Sequence, residues 1–557
     1  MHVRLLTHLI LPLVATPSFA QWTNQQDARI APTPNDLLTN DEFGRACALD
    51  GSTLVLGAHA HDPAGAGSLE GAVYVFDRSL GVWSQSAKLV SSTGDANGHF
   101  GWSVALESDR LAIGASQEDQ GTNFTCGALY VFERSAGVWT EQARLLASDR
   151  ATLDKLGGSI DLSDDTLVAG AANESSAGTF NNGAAYVFVK NGANWTEQAK
   201  LLAPAQASSD FFGAAVVVDG DRIVVGAPSR DPAGLSNAGA AFVYQRIATV
   251  WTHVATLTPS DAAASDAFGS SLALDGDTLI VGAPLKLQSG TANGAAYVFK
   301  WNGTSWAEEA KLVDIGTSLG DQFGTAVDLD GDHAVVGLPL SNVAGAGTGG
   351  VQFFERVGSA WTGQVEMVGD ACEAFDNLGA AVAISGVFVA SGAPRAESLP
   401  TGNVTGEAYV FEIVPPPTVL SYCTAKTNSQ GCSPTMAWTG FPSASNPNPF
   451  DLTCAQVLNL KWGLLFYGMA PASFPFQGGT LCVAPPIERT TVQNSFGSGS
   501  GQNCTGTYTY DMNARIQSGL DPNLVAGAAG FAQYWSRDPA DPFTTSLSNA
   551  VEFHIEP

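Results

Sequence analysis

A dipeptide, Phe-Gly or Leu-Gly, recurs seven times along the chain at nearly constant spacing. The seven pairs begin at Phe43, Phe100, Leu156, Phe212, Phe268, Phe323 and Leu378, at intervals of 55 to 57 residues. A fixed period of this length indicates a repeat architecture, in which each unit buries its faces only against its neighbours. Any fold for this chain must therefore accommodate seven copies of one structural unit.

Each repeat contains four short apolar segments, as the fifth repeat illustrates. Its segments are 270–274, 278–281, 295–299 and 305–313, and Asp275-Gly276-Asp277 forms a tight-turn sequence between the first two. Four short strands in a repeat of this length match one blade of a β-propeller. The sequence therefore predicts an all-β protein in which residues 21–413 form a seven-bladed propeller.

The seventh repeat lacks its fourth strand. Its third strand is expected at 407–411, and Pro415-Pro416-Pro417 follows soon after. The N-terminal segment Gln21-Trp22-Thr23 matches the Trp-Thr that opens the fourth strand of other repeats, such as Trp139-Thr140. We therefore expect residues 21 to about 31 to supply the outer strand of the last blade and so to cover an open sheet edge.

The repeat resembles the FG-GAP repeats of integrin α-subunit propellers, and more closely a short bacterial variety of them. The resemblance covers about residues 21–413 and is carried by the Phe-Gly pairs and by Gly-Ala-Pro elements, such as that at Gly226. Integrin-type repeats often carry a calcium loop between these two elements. The turn 328–332 is similar to part of such a loop but lacks its later carboxylate, which disfavours calcium there.

The N-terminal sequence and the net charge limit where this protein can be located and what it can bind. Residues 1–20 contain a basic residue, a short apolar run and small residues at Ser18 and Ala20, a pattern typical of a signal peptide. A net charge of -28 disfavours nucleic acid as a partner. No later stretch is apolar enough to span a membrane. We expect a secreted protein, either extracellular or at the cell surface or in the periplasm, and a monomer.

The C-terminal region differs in composition from the repeats. Residues 414–417 form a proline-rich linker, and 418–557 are predicted to form a small β-sandwich-like domain that resembles a module of large secreted bacterial proteins. Five of the eight cysteines lie in this domain, which indicates disulfides. We expect Cys423–Cys432 and Cys482–Cys504, with Cys454 free or, by exception, paired. The remaining cysteines lie in different repeats and are expected to be unpaired: Cys47, Cys126 and Cys372.

An aspartate stands two positions before the Phe-Gly or Leu-Gly pair in six of the seven repeats. These residues are Asp41, Asp154, Asp210, Asp266, Asp321 and Asp376. One interpretation is an Asx turn that holds each loop. The other is an acidic ring near the central opening that binds calcium or a basic partner. The two can coexist, and no cofactor other than this calcium is predicted.

Two classes of function fit the sequence. The favoured one is a non-enzymatic binding or adhesion protein, in which loops of variable length on one propeller face bind an extracellular protein or glycan. The alternative is an extracellular propeller enzyme that acts on polysaccharide. No catalytic residues are predicted, since the sequence has no known catalytic motif. His59 and His61 are expected to lie in a surface loop.

Overall fold

The structure is a computed structural model. It describes residues 23–32, 40–62, 68–176, 178–288, 293–316, 320–398, 403–414, 419–445, 448–498 and 503–555. The predicted signal peptide 1–20 and residues 415–418, which include most of the predicted linker, lie outside these residues. Two compact units are present, within Gln21–Val414 and within Pro415–Pro557.

The first unit consists of seven four-stranded antiparallel sheets, which we call blades 1 to 7 in the order of the repeats. The predicted all-β architecture of repeated four-stranded blades is confirmed. Blades 1 to 3 contain β2 (Ala46–Asp50), β3 (Thr53–Ala58), β4 (Ala72–Ser79), β5 (Val82–Leu89), β6 (Phe100–Glu107), β7 (Arg110–Ala115), β8 (Ala128–Ser135), β9 (Val138–Leu145), β10 (Ser159–Ser163), β11 (Thr166–Ala171), β12 (Ala184–Asn191) and β13 (Asn194–Leu201).

Blades 4 to 6 contain β14 (Ala215–Asp219), β15 (Arg222–Ala227), β16 (Ala240–Ile247), β17 (Val250–Leu257), β18 (Ser271–Asp275), β19 (Thr278–Ala283), β20 (Ala295–Trp301), β21 (Trp306–Leu312), β22 (Val327–Asp330), β23 (His333–Gly337), β24 (Val351–Val357) and β25 (Ala360–Met367). Blade 7 contains β26 (Ala381–Ser385), β27 (Phe388–Ala393), β30 (Glu407–Val414) and β1 (Thr23–Ile30). A short hairpin, β28 (Glu397–Ser398) with β29 (Asn403–Val404), connects β27 to β30.

The Phe-Gly and Leu-Gly pairs join consecutive blades. Each Phe or Leu forms a parallel bridge with the glycine that precedes the third strand of the preceding blade, as Phe100 does with Gly71. The aromatic ring is buried, with Phe100 only 1% exposed. A Cβ atom at Gly57 would lie 2.1 Å from the carbonyl oxygen of Gly101. The glycines are therefore required because backbones of adjacent blades touch.

The N-terminal strand closes the ring. β1 pairs antiparallel with β30 and fills the place of the fourth strand in blade 7. Its register shift between Gln26 and Ala28 corresponds to the bulge in the fourth strand of every other blade. The bulged residue, Asp27, accepts hydrogen bonds from Arg78 Nε (3.0 Å) and Trp83 Nε1 (2.7 Å) of blade 1.

The innermost strands are linked by side chains at their hairpin ends. In six of the seven blade junctions, the last residue of one first strand accepts a hydrogen bond from a hairpin N–H of the next blade, at 2.6 to 3.1 Å. The pairs are Asp50–Ser108, Ser163–Gly220, Asp219–Gly276, Asp275–Gly331, Asp330–Gly386 and Ser385–Gly51. Asp328 accepts from Ile384 N, and Asp332 pairs with Arg356. The carboxylates of Asp328, Asp330 and Asp332 in this turn thus all form bonds that hold the propeller together.

The second unit contains a six-stranded sheet, a three-stranded sheet and a hairpin. Its strands are β31 (Val419–Tyr422), β32 (Thr435–Thr439), β33 (Asp451–Val457), β34 (Trp462–Gly468), β35 (Pro471–Phe476), β36 (Gly479–Val483), β37 (Glu488–Arg489), β38 (Gln493–Asn494), β39 (Gly506–Asp511), β40 (Ala529–Arg537) and β41 (Thr545–His554), with one helix, α1 (Met512–Gln517). One core receives Leu452 and Tyr508 from the smaller sheet, and Leu465, Tyr534 and Val551 from the larger.

The predicted disulfide pairing is wrong. The bonds are Cys423–Cys482 and Cys432–Cys504, which close loops of 59 and 72 residues. Cys423 directly follows β31, and β36 brings Cys482 beside it, where Tyr422 donates a hydrogen bond to the Cys482 carbonyl at 2.5 Å. Packing of distant strands, not sequence proximity, therefore sets the pairing. Cys454 is free and buried, and Cys47, Cys126 and Cys372 are also free.

Candidate binding face

One end of the propeller carries the long connections and the other carries the tight hairpins. We call the first end the loop face. It is formed by the loops before each Phe-Gly or Leu-Gly pair and by the loops between second and third strands, one of which contains a short 3-10 helix, Pro232–Gly234. Backbone hydrogen bonds join these two kinds of loop between adjacent blades, as from Leu153 N to Phe124 O at 2.9 Å.

The six aspartates of the predicted acidic ring lie in these loops and are all buried, with exposures of 0 to 5%. Four of them accept a hydrogen bond from the backbone N–H three residues earlier: Asp154, Asp210, Asp266 and Asp376. These side chain-to-backbone bonds stabilise the loops, as the Asx interpretation expects, but they join each aspartate to a residue before it and not to one after it, as in an Asx turn. Burial raises the pKa of Asp154 and of Asp376 to about 6.

Three of the aspartates also bind a cationic or imidazole side chain twenty residues later in the same blade. Asp41 contacts His61 Nδ1 at 2.7 Å, Asp210 contacts Arg230 at 2.5 Å, and Asp266 contacts Lys286 Nζ at 2.8 Å. Across the described ranges, no group of three or more His, Cys, Asp or Glu side chains surrounds a point that could hold a metal ion. Each aspartate belongs to the polar site of its own blade.

A tyrosine and a basic residue complete most of these polar sites, and sequence analysis missed them. They face each other across the third and fourth strands in five blades, as Tyr74–Lys88, Tyr130–Arg144, Tyr186–Lys200, Tyr297–Lys311 and Tyr409–Arg29. The basic groups also bind carboxylates beneath the loops: Lys200 binds Glu174 at 2.8 Å, and Lys311 binds Asp261 at 2.8 Å. The recurring triplets Ala-Lys-Leu and Ala-Arg-Leu were the signal in the sequence.

The two histidines lie in the loop between β3 and β4, but their side chains are buried and not at the surface as predicted. His59 is 5% exposed and His61 is 1% exposed. His61 lies between Asp41 and Lys88 Nζ, which is 3.0 Å from its Nε2. The repeat strands place both rings under the loops because the segment after Gly57 turns back into the blade, as the bond from Gly71 N to His61 O shows.

His59 belongs to a different cluster, near the innermost strands of blades 1 and 2. Its ring centroid lies 4.7 Å from that of Trp102 and 5.1 Å from that of His99, and Arg45 lies over Trp102 at 5.8 Å. Burial, with smaller effects of His99 and Arg45, lowers the pKa of His59 to about 3. The ring therefore stays neutral at physiological pH. All four residues of this cluster belong to blades 1 and 2.

Exposed apolar side chains occupy the junctions of blades 2 to 4 on the loop face. Phe124, Leu153 and Phe180 are 59%, 54% and 66% exposed. Leu153 N donates to Phe124 O across the junction of blades 2 and 3, and Ser209 N donates to Phe180 O across the next junction, both at 2.9 Å. We call Phe124, Leu153 and Phe180 the apolar patch.

The backbone at Leu153 is left-handed, as it is at three other leucines of the chain, Leu69, Leu80 and Leu460. Its φ is 75°, in the left-handed region that costs an L-residue with a large side chain free energy. The other repeats have Asn, Ser, Gly or Phe here: Asn40, Asn97, Ser209, Ser265, Gly320 and Phe375. Phe375, with φ 74°, is 65% exposed. Neither Leu153 nor Phe375 gains burial in return for this strain.

No helix among the described residues is long and apolar enough to cross a membrane.

A family model described as FG-GAP repeat matches six stretches that together make up more than half of the chain: 24–76, 83–132, 139–188, 195–244, 251–299 and 306–354. The matches do not include the seventh repeat or the C-terminal unit. No curated protein matches the chain.

Among 396 matching chains of solved structures, one comes from a crystal structure of a mitotic checkpoint complex. It covers 73% of this chain and 99% of its own length, with 12% identity and a TM-score of 0.41. A likeness this loose carries no argument about function.

Proposed function

This chain belongs to the FG-GAP repeat family, and from that premise we propose that it is a secreted binding protein whose loop face recognises an extracellular protein. The apolar patch, formed by Phe124, Leu153 and Phe180, is the proposed contact surface. Two disulfides in the C-terminal unit support a location in an oxidising compartment. Export through residues 1–20 is part of the proposal.

The observation that carries the proposal is the strained and exposed Leu153. A left-handed leucine costs about 1–2 kcal/mol, and strain of this kind persists at positions where function compensates for it. Exposing a leucyl side chain to water contributes no favourable free energy, whereas a partner that buries the side chain does supply it. Phe124 lies directly across the junction and adds an aromatic side chain, the type that dominates binding energy in protein interfaces.

The chemistry of the patch favours a protein over a glycan. The three side chains are purely apolar and offer no hydrogen bonds for sugar hydroxyl groups, so they suit apolar anchors of a partner. The net charge of -28 favours basic residues around those anchors, because opposite charges accelerate association and suppress acidic competitors.

The test compares two triple variants of the full chain on arrays of extracellular proteins and glycans. The patch variant carries Phe124→Ser, Leu153→Asn and Phe180→Ser. The control carries Val82→Ser, Val138→Ser and Val250→Ser at the opposite end, where exposures of 65%, 61% and 63% match those of the patch. We expect a protein ligand whose affinity falls at least about 10-fold in the patch variant and is unchanged in the control.

Affinity that survives in the patch variant would contradict the proposed contact surface. Binding to glycans alone, measured by titration calorimetry of the array hits, would contradict the proposed class of partner.

A further inference from the structure

The polar sites beneath the loop face differ in one respect between blade 6 and the other six blades. Each of the other sites contains a basic side chain bonded to its acidic or imidazole group. These basic residues are Lys88, Arg144, Lys200, Arg230, Lys286 and Arg29, in blades 1, 2, 3, 4, 5 and 7. Each of those blades therefore has at least one basic side chain that offsets part of its buried negative charge.

In blade 6 the basic residue is replaced by an acid. The cross-strand pair of tyrosine and Lys or Arg becomes Gln352 and Glu366. The position twenty residues after the aspartate is Ser341, whose hydroxyl donates to Glu366 Oε1 at 3.0 Å. Asp314 acts electrostatically on both Asp321 and Glu366. The site thus contains three carboxyl groups, and among the described residues no basic side chain is bonded to any of them.

Two buried side chains in this site carry polar atoms that have no hydrogen-bond partner. Asp321 is 0% exposed, no donor group of the described chain bonds to either of its carboxylate oxygens, and the side chain that acts on it most strongly is another carboxyl, that of Asp314. Gln352 is also 0% exposed, and its Nε2 is unbonded, while its Oε1 accepts from Ile315 N at 3.2 Å. Buried polar groups in proteins are nearly always bonded, and an exception points to a missing water or ion.

We propose that the blade 6 site binds one divalent, oxygen-seeking cation, with calcium as the expected ion and Asp314 and Asp321 as its carboxylate ligands. Glu366 adds negative charge. The three carboxylates are not gathered around one point in the structure, so water completes the coordination. We therefore expect an affinity of about 0.1–1 mM, which is typical of extracellular calcium modules. The site lies at the opposite end of the blade from the 328–332 hairpin.

A proton is the alternative occupant. Burial, followed by the charge of Asp314, raises the pKa of Asp321 to about 7. Two carboxyl groups this close can hydrogen-bond only if one of them is protonated. The two occupants therefore predict opposite pH dependences. Calcium binds more tightly as the pH rises, whereas protonation stabilises the site only as the pH falls.

The experiment measures calcium binding and melting of the full chain at pH 8 and fixed ionic strength. Isothermal titration with calcium chloride should show one site with a Kd of about 0.1–1 mM. Calcium at 5 mM should raise the melting temperature by about 2 °C or more relative to chelator. Glu366→Lys restores the basic residue of the other blades, so it should raise the melting temperature in chelator and abolish calcium binding.

The matched control is Glu70→Lys, the same charge change in blade 1, which should leave calcium binding unchanged. Asp321→Asn provides a second variant if Glu366→Lys misfolds, and it should weaken binding at least 10-fold. The proposal is overturned if the unmodified chain shows no calcium binding, or if calcium binding survives in Asp321→Asn. These outcomes do not depend on the apolar patch, whose residues lie in blades 2 and 3.

Discussion

Leu153 has a left-handed backbone at a position that Asn, Ser or Gly occupies in most of the other repeats. Asn adopts this conformation readily because its short side chain bonds to the local backbone. Leucine gains no such bond and remains 54% exposed. The choice of leucine therefore lowers the stability of the free protein, and the proposed partner would recover that cost by burying the side chain.

Replacing Leu153 by Asn should therefore stabilise the unbound protein. We expect the free energy of unfolding to rise by about 1 kcal/mol, because the left-handed strain of leucine is relieved. The converse substitution, Asn97→Leu, at φ 65° in the preceding repeat, should lower it by a similar amount. Urea unfolding of the full chain measures both changes. A neutral or destabilising Leu153→Asn would show that the left-handed leucine is not strained.

At the scale of elements, the seven blades depend on one strand that is distant in sequence. β1 covers β30 with main-chain hydrogen bonds, and its Arg29 pairs with Glu407, whose side chain is only 6% exposed. Its bulge residue Asp27 holds Trp83 of blade 1, as Gln198 holds Trp251 of the next blade in another repeat. The N-terminal strand thus supplies both the sheet edge and the blade-to-blade contact.

Deleting residues 21–30 should destabilise the propeller and cause aggregation. The deletion leaves the edge of β30 unpaired and Glu407 without its Arg29 partner, and both exposed strand edges and unpaired buried charges are costly. Thermal melting and light scattering measure the effect. A synthetic peptide of residues 21–32 should restore the melting temperature, and a scrambled peptide should not. A truncated chain that melts like the full one would show that blade 7 is stable with three strands.

At the scale of the whole molecule, the ring brings together carboxyl groups from distant repeats. Asp328 of blade 6 acts electrostatically on Asp161 of blade 3, and both lie in the innermost strands, beside the central channel. Both are half-buried, and each accepts a backbone hydrogen bond from the next blade, at 2.7 and 2.8 Å. Burial raises the pKa of each to about 7.

The pH dependence of stability should report these two groups. Unfolded aspartate titrates near 3.9, so the folded state binds these protons more tightly. Their contribution to stability is complete below about pH 4 and is lost as the pH rises through about 7. The double variant Asp161→Asn, Asp328→Asn should therefore lose less stability than the unmodified chain between pH 5 and pH 8, as measured by urea unfolding. Asp164→Asn, at an exposed hairpin position, should not alter the profile.

Much of the fold could be predicted from the sequence because the residues that recur in each repeat determine where its turns and strands form. The spacing of Phe43, Gly57 and their counterparts fixes four strands per unit, and the observed strands of the fifth repeat, such as Thr278–Ala283, begin within a residue of the predicted segments. The candidate site was harder to predict. The six aspartates were visible, but their partners, such as Arg230 and Lys286, lie in loops whose course the sequence does not specify.

The sequence by itself determined the all-β class, the seven repeats and the need for an N-terminal strand, because turn residues and strand periodicity act over a few residues. Only the tertiary structure decided which distant groups meet. It placed Cys423 beside Cys482, buried His59 against Trp102, and left Asp321 without a basic partner. These contacts depend on how non-local strands and loops pack, since each side chain acquires its neighbours from elements tens of residues away.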